Sequence, residues 1–230
     1  MRYFFLLLFC FVGSLGFSQK KYHFDCALIF DNPISADKET KSNVVLTNSK
    51  DNSYHTFVSF DKDSINASLK LIDFEGLIIN SNVSKERFYK AEIFSNECNS
   101  VYRFSNKFKY KTKEYDIIKH QDTTINDTTY FHYSIKSNKS LEYQKRKQIK
   151  TIHYIIDRNS ENFKPFLYRA TEYNKWVETS KLPNGLLKMK YYVDTVGTIT
   201  FKQTLVKVVQ INKVFTIPEE CDYTKSPKQS

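Results

Sequence analysis

From residue 19 onward, apolar and polar positions change places at almost every step, with a period of two. Tyr22, Phe24, Cys26, Leu28 and Phe30 occupy alternate positions. Tyr54, Thr56, Val58 and Phe60 alternate with His55, Phe57 and Ser59, and Thr129, Phe131, Tyr133 and Ile135 with Tyr130, His132, Ser134 and Lys136. Leu187, Met189, Tyr191 and Val193 alternate with Lys188, Lys190 and Tyr192. This is the pattern of half-buried antiparallel strands. Long strands are expected over 107–119, 128–136, 147–157, 187–194 and 198–211. Strands beyond the usual ~5–6 residues suit a strongly curved sheet better than a compact sandwich.

Turn chemistry divides these runs. Asp73-Phe74-Glu75-Gly76 and Asp194-Thr195-Val196-Gly197 suit a tight turn closed by a glycine bulge. Pro183-Asn184-Gly185 is a further turn signal, and Asn126-Asp127 joins two Thr-rich arms. No stretch has a persuasive helical period; Asn159 to Trp176 is the least regular and is expected to hold a short helix or a lid-like loop. The expected fold is all-β: a single highly curved antiparallel sheet, a half-barrel or open barrel, with few short helices, forming one domain over 19–230.

Residues 1–18 do not fit that pattern. Met1-Arg2 is a positive start, Tyr3 to Val12 is apolar, and Gly16-Phe17-Ser18 puts small residues at the −3 and −1 positions before Gln19. This is the form of a secretory signal peptide, cleaved near Ser18-Gln19, and the apolar run is short of the roughly 20 residues that span a bilayer. The mature protein is expected to be secreted or periplasmic and not an integral membrane protein.

Composition narrows the chemistry. With five glycines, two of them in the N-terminal apolar segment, no phosphate-cradling or dinucleotide loop can be built. No serine has nucleophile-elbow neighbours, and no carboxylate pair stands out. The five histidines, His23, His55, His120, His132 and His153, lack metal-ligand spacing, as do the cysteines. No metal, cofactor or catalytic residue is therefore nominated. Cys26 falls on an apolar strand face and reads as core, whereas Cys98 and Cys221 lie in polar loops and are the expected disulfide pair.

The net charge is +10, with most of the excess in residues 103–150. There Lys107, Lys109, Lys111 and Lys113 alternate with Phe108, Tyr110 and Thr112, which would set four ammonium groups along one strand face. Such a stripe guards a sheet edge or meets an anionic cell-surface component or membrane. No nucleic-acid module is present.

The Phe17-Ser18-Gln19 exit and the Lys/Asn/Ile/Tyr-rich body resemble secreted proteins of Bacteroidota. The segments Leu46 to Tyr54 and Phe215 to Cys221 look like those of uncharacterised members of that group. A long-stranded meander behind a signal peptide is also similar to the periplasmic lipoprotein-carrier type of half-barrel, which implies an acyl chain held on a concave apolar face. The leading expectation is a non-enzymatic binding protein that holds an apolar or lipid-like ligand there, with Phe131, Tyr133, Leu187, Met189 and Tyr191 as lining. The alternatives are an interaction protein using the lysine stripe and an enzyme whose site is assembled from separate strands.

Overall fold

The computed structural model describes residues 19–31, 43–60, 65–106 and 109–225; the expected signal peptide lies outside them. The strands are β1 (Gln19–Asp31), β2 (Asn43–Thr47), β3 (Tyr54–Phe60), β4 (Asn66–Asp73), β5 (Leu77–Ser84), β6 (Ile93–Ser95) and β7 (Val101–Arg103). They continue with β8 (Tyr115–Lys119), β9 (Thr123–Ile125), β10 (Thr128–Ser137), β11 (Thr151–Asp157), β12 (Leu187–Val193) and β13 (Ile199–Pro218). Among the described residues, three α-helices interrupt them: α1 (Lys85–Lys90), α2 (Leu141–Arg146) and α3 (Ala170–Thr179). All thirteen strands join one unclosed sheet in the order β7-β5-β4-β3-β2-β1-β13-β12-β11-β10-β8, with β9 added on β10 and β6 parallel to β13.

β1 and β13 form the spine, paired from Gln19–Pro218 to Asp31–Thr204 with two register shifts. Bulges of this kind sharpen the local twist, which lets the sheet coil and bury both faces. In β2 and β3, Leu46 and Val58 join one apolar cluster with Leu69, Leu71, Ile79 and Phe215, while Val45 and Phe57 feed a second with Leu28, Phe30, Tyr133 and Tyr154. Phe88 of α1 and Phe94 of β6 pack into the first cluster. Phe163, Phe166, Leu167, Tyr173, Trp176 and Leu182, from the irregular segment and α3, pack into the second. Lys213 on β13 ties α1 to the spine, its Nζ donating to the carbonyls of Phe88 (2.6 Å) and Ala91 (2.9 Å).

Cys98 and Cys221 are joined in a disulfide, with their Cα atoms 5.4 Å apart. It spans 123 residues, and chain entropy assigns such a loop about 4–5 kcal/mol. Cys26 is a buried free thiol. Asn126 and Asp127 form the two-residue turn of the β9–β10 hairpin, both with positive φ (46° and 61°), as a type I′ turn demands.

Three local expectations are corrected. The segment expected as a strand over 107–119 is a 3₁₀ turn at Lys109–Glu114 followed by β8, because Thr112 turns inward, buried, and donates to the Glu178 carboxylate on α3. The strand expected from 147 begins at Thr151, since Ser140 caps α2 and the chain leaves the helix only at Lys147. The alternation read along β12 is broken by a bulge: Met189 faces Ile155 but Leu187 faces Ile156, leaving Lys188 as the extra residue.

Gly185 shows how tightly the covering segment is held. Its φ is +141°, and an added Cβ would sit 2.6 Å from the Asp157 carbonyl oxygen and 2.6 Å from Ile156 Cγ2. Gly185→Ala should therefore lower unfolding free energy by about 2–4 kcal/mol, combining backbone strain with a clash against main chain. Urea denaturation of the two proteins checks it.

Candidate functional site

The bulge at Lys188 turns Lys190 inward, and Lys190 is fully buried (0% exposed) on the sheet face beneath α3. A buried ammonium needs a counter-charge. Glu172, in the first turn of α3 and itself buried, supplies it, with Lys190 Nζ 3.2 Å from Oε2. The same oxygen accepts the Tyr168 amide at 2.9 Å. Three rings close the cage: Nζ lies 4.8 Å from the centre of Tyr168, 5.2 Å from Tyr154 and 5.5 Å from Tyr192. Burial lowers the Lys190 pKa against the opposing pull of Glu172, and burial together with the Glu172 charge raises the Tyr154 and Tyr192 hydroxyls.

His55 lies on the same face, buried among Phe57, Phe74 and Phe166 at ring distances of 4.7–5.3 Å. Burial, reinforced by the Lys190 charge, pushes its pKa down to about 3. It is a neutral core imidazole.

α3 does not cover the whole face. Between its N-terminus and the outward sides of β4 and β5 a cleft of about 590 Å³ remains, lined by Ile72, Phe74, Ile78, Phe104, Tyr115 and Tyr168, with Lys70, Lys111 and Arg169 also lining it. At Lys70, Ile72 and Tyr168 it meets a second depression that runs over Phe57 toward Asn80. At Tyr115, Arg169 and Thr171 it meets a third, lined by Ile135, Ile152, Lys147 and Lys150. The three depressions adjoin through shared lining residues, and the one beside α3 combines a mostly apolar floor with Lys70, Lys111 and Arg169.

The reverse face of β8–β12 carries a second grouping. His120 follows β8, His132 lies on β10 and His153 on β11, and one ring nitrogen from each lies within 4.8 Å of those of the other two. His132 Nε2 is 3.0 Å from His153 Nδ1 and 3.2 Å from the Tyr191 hydroxyl, and Ser134 Oγ is 2.7 Å from His120 Nε2. Burial and the neighbouring imidazoles lower His132 and bring His153 down to about 4. The spacing of these histidines along the chain held no sign of this; the detectable signal was that His132 and His153 fall on period-two strands, and nothing in the pattern marked His120.

The residues expected to line one concave surface divide between two faces. Phe131, Tyr133 and Leu187 belong to the cluster under α3, where Tyr133 and Leu187 are buried. Tyr191, whose ring stacks on His153 at 4.6 Å, projects from the reverse face, and Met189 shares that face by alternation. The lysines are not one strand face: Lys107 lies outside the described residues, Lys109, Lys111 and Lys113 fall in the 3₁₀ turn, and Lys111 and Lys113 are exposed. Lys111 reaches the groove.

No family model matches the chain, and no curated protein does. Solved structures share its outline remotely. An uncharacterised conserved protein from Thermus thermophilus aligns at TM-score 0.42 and 8% identity, over 97% of this chain and 94% of that one. MucB, in the Pseudomonas aeruginosa MucA/MucB complex, aligns at TM-score 0.37 and 7% identity, over 90% of this chain and 56% of that one. A putative outer membrane lipoprotein-sorting protein domain from Vibrio parahaemolyticus aligns at TM-score 0.28 and 10% identity, over 89% and 90%. Likenesses this distant leave function to the chain's own geometry.

Two outcomes follow from the buried charges. Glu172→Gln strands the Lys190 ammonium and should cost about 3–5 kcal/mol in urea unfolding, while Lys190→Met added to it should recover most of that loss. For His55, the folded pKa lies below the unfolded value of 6.5, so its contribution is complete above pH 6.5 and is lost as pH falls toward 3. Between pH 6.5 and 5 the natural protein should lose about 1.5 kcal/mol more than His55→Phe, measured by parallel denaturation.

Proposed function

We propose that the protein is a non-enzymatic binding protein of the periplasm or cell exterior that takes an acyl chain with an anionic head group into the groove beside α3. The observation that carries this reading is the pairing of an apolar floor (Ile72, Phe74, Ile78, Phe104) with basic residues (Lys70, Lys111, Arg169) in a cleft of about 590 Å³. Ligand pockets combine a mostly apolar lining with a few placed polar groups in this way. The irregular segment and α3 already fill the face over Tyr133 and Leu187, so the ligand lies along the part that α3 leaves open. Among the described residues no helix is long and apolar enough to cross a membrane, in keeping with a protein that meets lipid as a ligand.

The test is titration of the delipidated mature chain with a fluorescent long-chain fatty acid and with its methyl ester. The acid should bind at micromolar concentration or tighter, Ile78→Glu should weaken it at least about tenfold, and Lys111→Glu should erase the preference for acid over ester. Failure of both ligands to bind, or binding indifferent to Ile78→Glu, overturns the reading.

A further inference from the structure

The reverse face of the sheet brings together three imidazoles from three neighbouring chain segments, and the pairing register explains how. His120 comes one step after the Lys119–Tyr133 pair, and its amide donates to the His132 carbonyl at 2.9 Å, so His120 and His132 stand opposite each other. His153 stands opposite Ser134 on one side and Tyr191 on the other. Side chains opposite or diagonal on one face of an antiparallel sheet lie within reach of each other. The rings accordingly crowd, with centroids 4.5 Å apart for His120–His132, 5.2 Å for His132–His153 and 5.5 Å for His120–His153.

The cluster itself includes no carboxylate, and His132 Nε2 lies 3.0 Å from His153 Nδ1, a separation that one shared proton spans. A tetrahedral cation with metal–nitrogen bonds of about 2.0–2.1 Å sets its ligand nitrogens about 3.3 Å apart, so a cation could take that proton's place with small ring movements. Ser134 Oγ, 2.7 Å from His120 Nε2, adds a hydroxyl to the same group. All three histidines are only partly buried, and His120 and His153 line a depression of about 720 Å³ that opens to solvent. An ion therefore has a path in and space for a further ligand. Cys98, Glu220 and Cys221 also gather, but both sulfurs there are committed to the disulfide.

We propose that His120, His132 and His153 form a binding site for a divalent cation of the late first transition row, with the Tyr191 hydroxyl beside the open position. Nitrogen donors without a carboxylate favour zinc, copper and nickel over magnesium or calcium. The site lies on the sheet face opposite the α3-covered cluster, so the proposal stands independently of the lipid groove.

Zn²⁺ is the probe. Titrated calorimetrically into chelator-treated mature protein at pH 7.5, it should bind one to one with a dissociation constant of about 10 μM or tighter, while Mg²⁺ gives no heat. His120→Asn and His153→Asn should each weaken binding at least about tenfold, and His23→Asn should leave it unchanged. Should a variant fail to fold, the unaltered protein still decides: saturating Zn²⁺ must shift the ring resonances of His120, His132 and His153 and leave those of His23 and His55 in place. A dissociation constant in the millimolar range, equal affinity in the His120 and His153 variants, or shifts centred on other histidines overturns the proposal.

Discussion

The ion pair between Lys190 and Glu172 sets where everything on one side of the sheet can lie. Its two charges are out of water, at 3.2 Å, inside a ring of tyrosines. The desolvation cost of such a pair consumes much of its Coulomb attraction, so its net contribution to stability is small. What it does provide is position. An apolar helix face can slide by a methyl group at little cost, but a buried carboxylate has one place to be. Glu172 stands in the first turn of α3, so the pair fixes that end of the helix, and the helix end determines how much of the apolar face stays open beside β4 and β5.

From this pinning the sheet acquires two different faces. Beneath α3, aromatic packing is continuous from Phe30 through Phe166 to His55, and its polar contents are enclosed and paired around Lys190. On the reverse of β8 to β12 the side chains are half-buried and nitrogen-rich. The same strand supplies both: on β10, Phe131, Tyr133 and Ile135 point one way while His132 and Ser134 point the other. A period-two sequence lets each face evolve a separate chemistry with little interference.

The fold class was legible because period-two alternation survives in most of the chain. The hairpin turn at Asn126-Asp127 was legible because both residues tolerate positive φ. Two kinds of feature were hidden. Alternation presumes an unbroken ladder, and the bulge at Lys188 exchanges the faces on either side of it, so Leu187 and Lys190 go in together while Met189 and Tyr191 go out. Long-range docking also overrides local pattern: the lysine-rich run coils because Thr112 has a partner on α3, 66 positions away in sequence. The histidine cluster belongs to the same class, since only strand register brings 120, 132 and 153 together. α3 starts inside Asn159 to Trp176, the stretch expected to hold a short helix or a lid-like loop; its bounds were hidden because its aromatic residues serve the core irrespective of helical period.

The position of Cys26 has a consequence for redox behaviour. It lies on β1 where the chain passes from the first cluster, with Tyr22 and Phe24, into the second, with Leu28 and Phe30. Only 2% of it is exposed, and burial, aided by the Asp25 charge, raises its thiol to about 11. The reactive thiolate is therefore scarce at neutral pH, and the sulfur is shut away from the Cys98–Cys221 bridge. Exchange between Cys26 and that bridge must wait until β1 leaves the spine, so the same strand pairing that curves the sheet kinetically guards the bridge against this thiol.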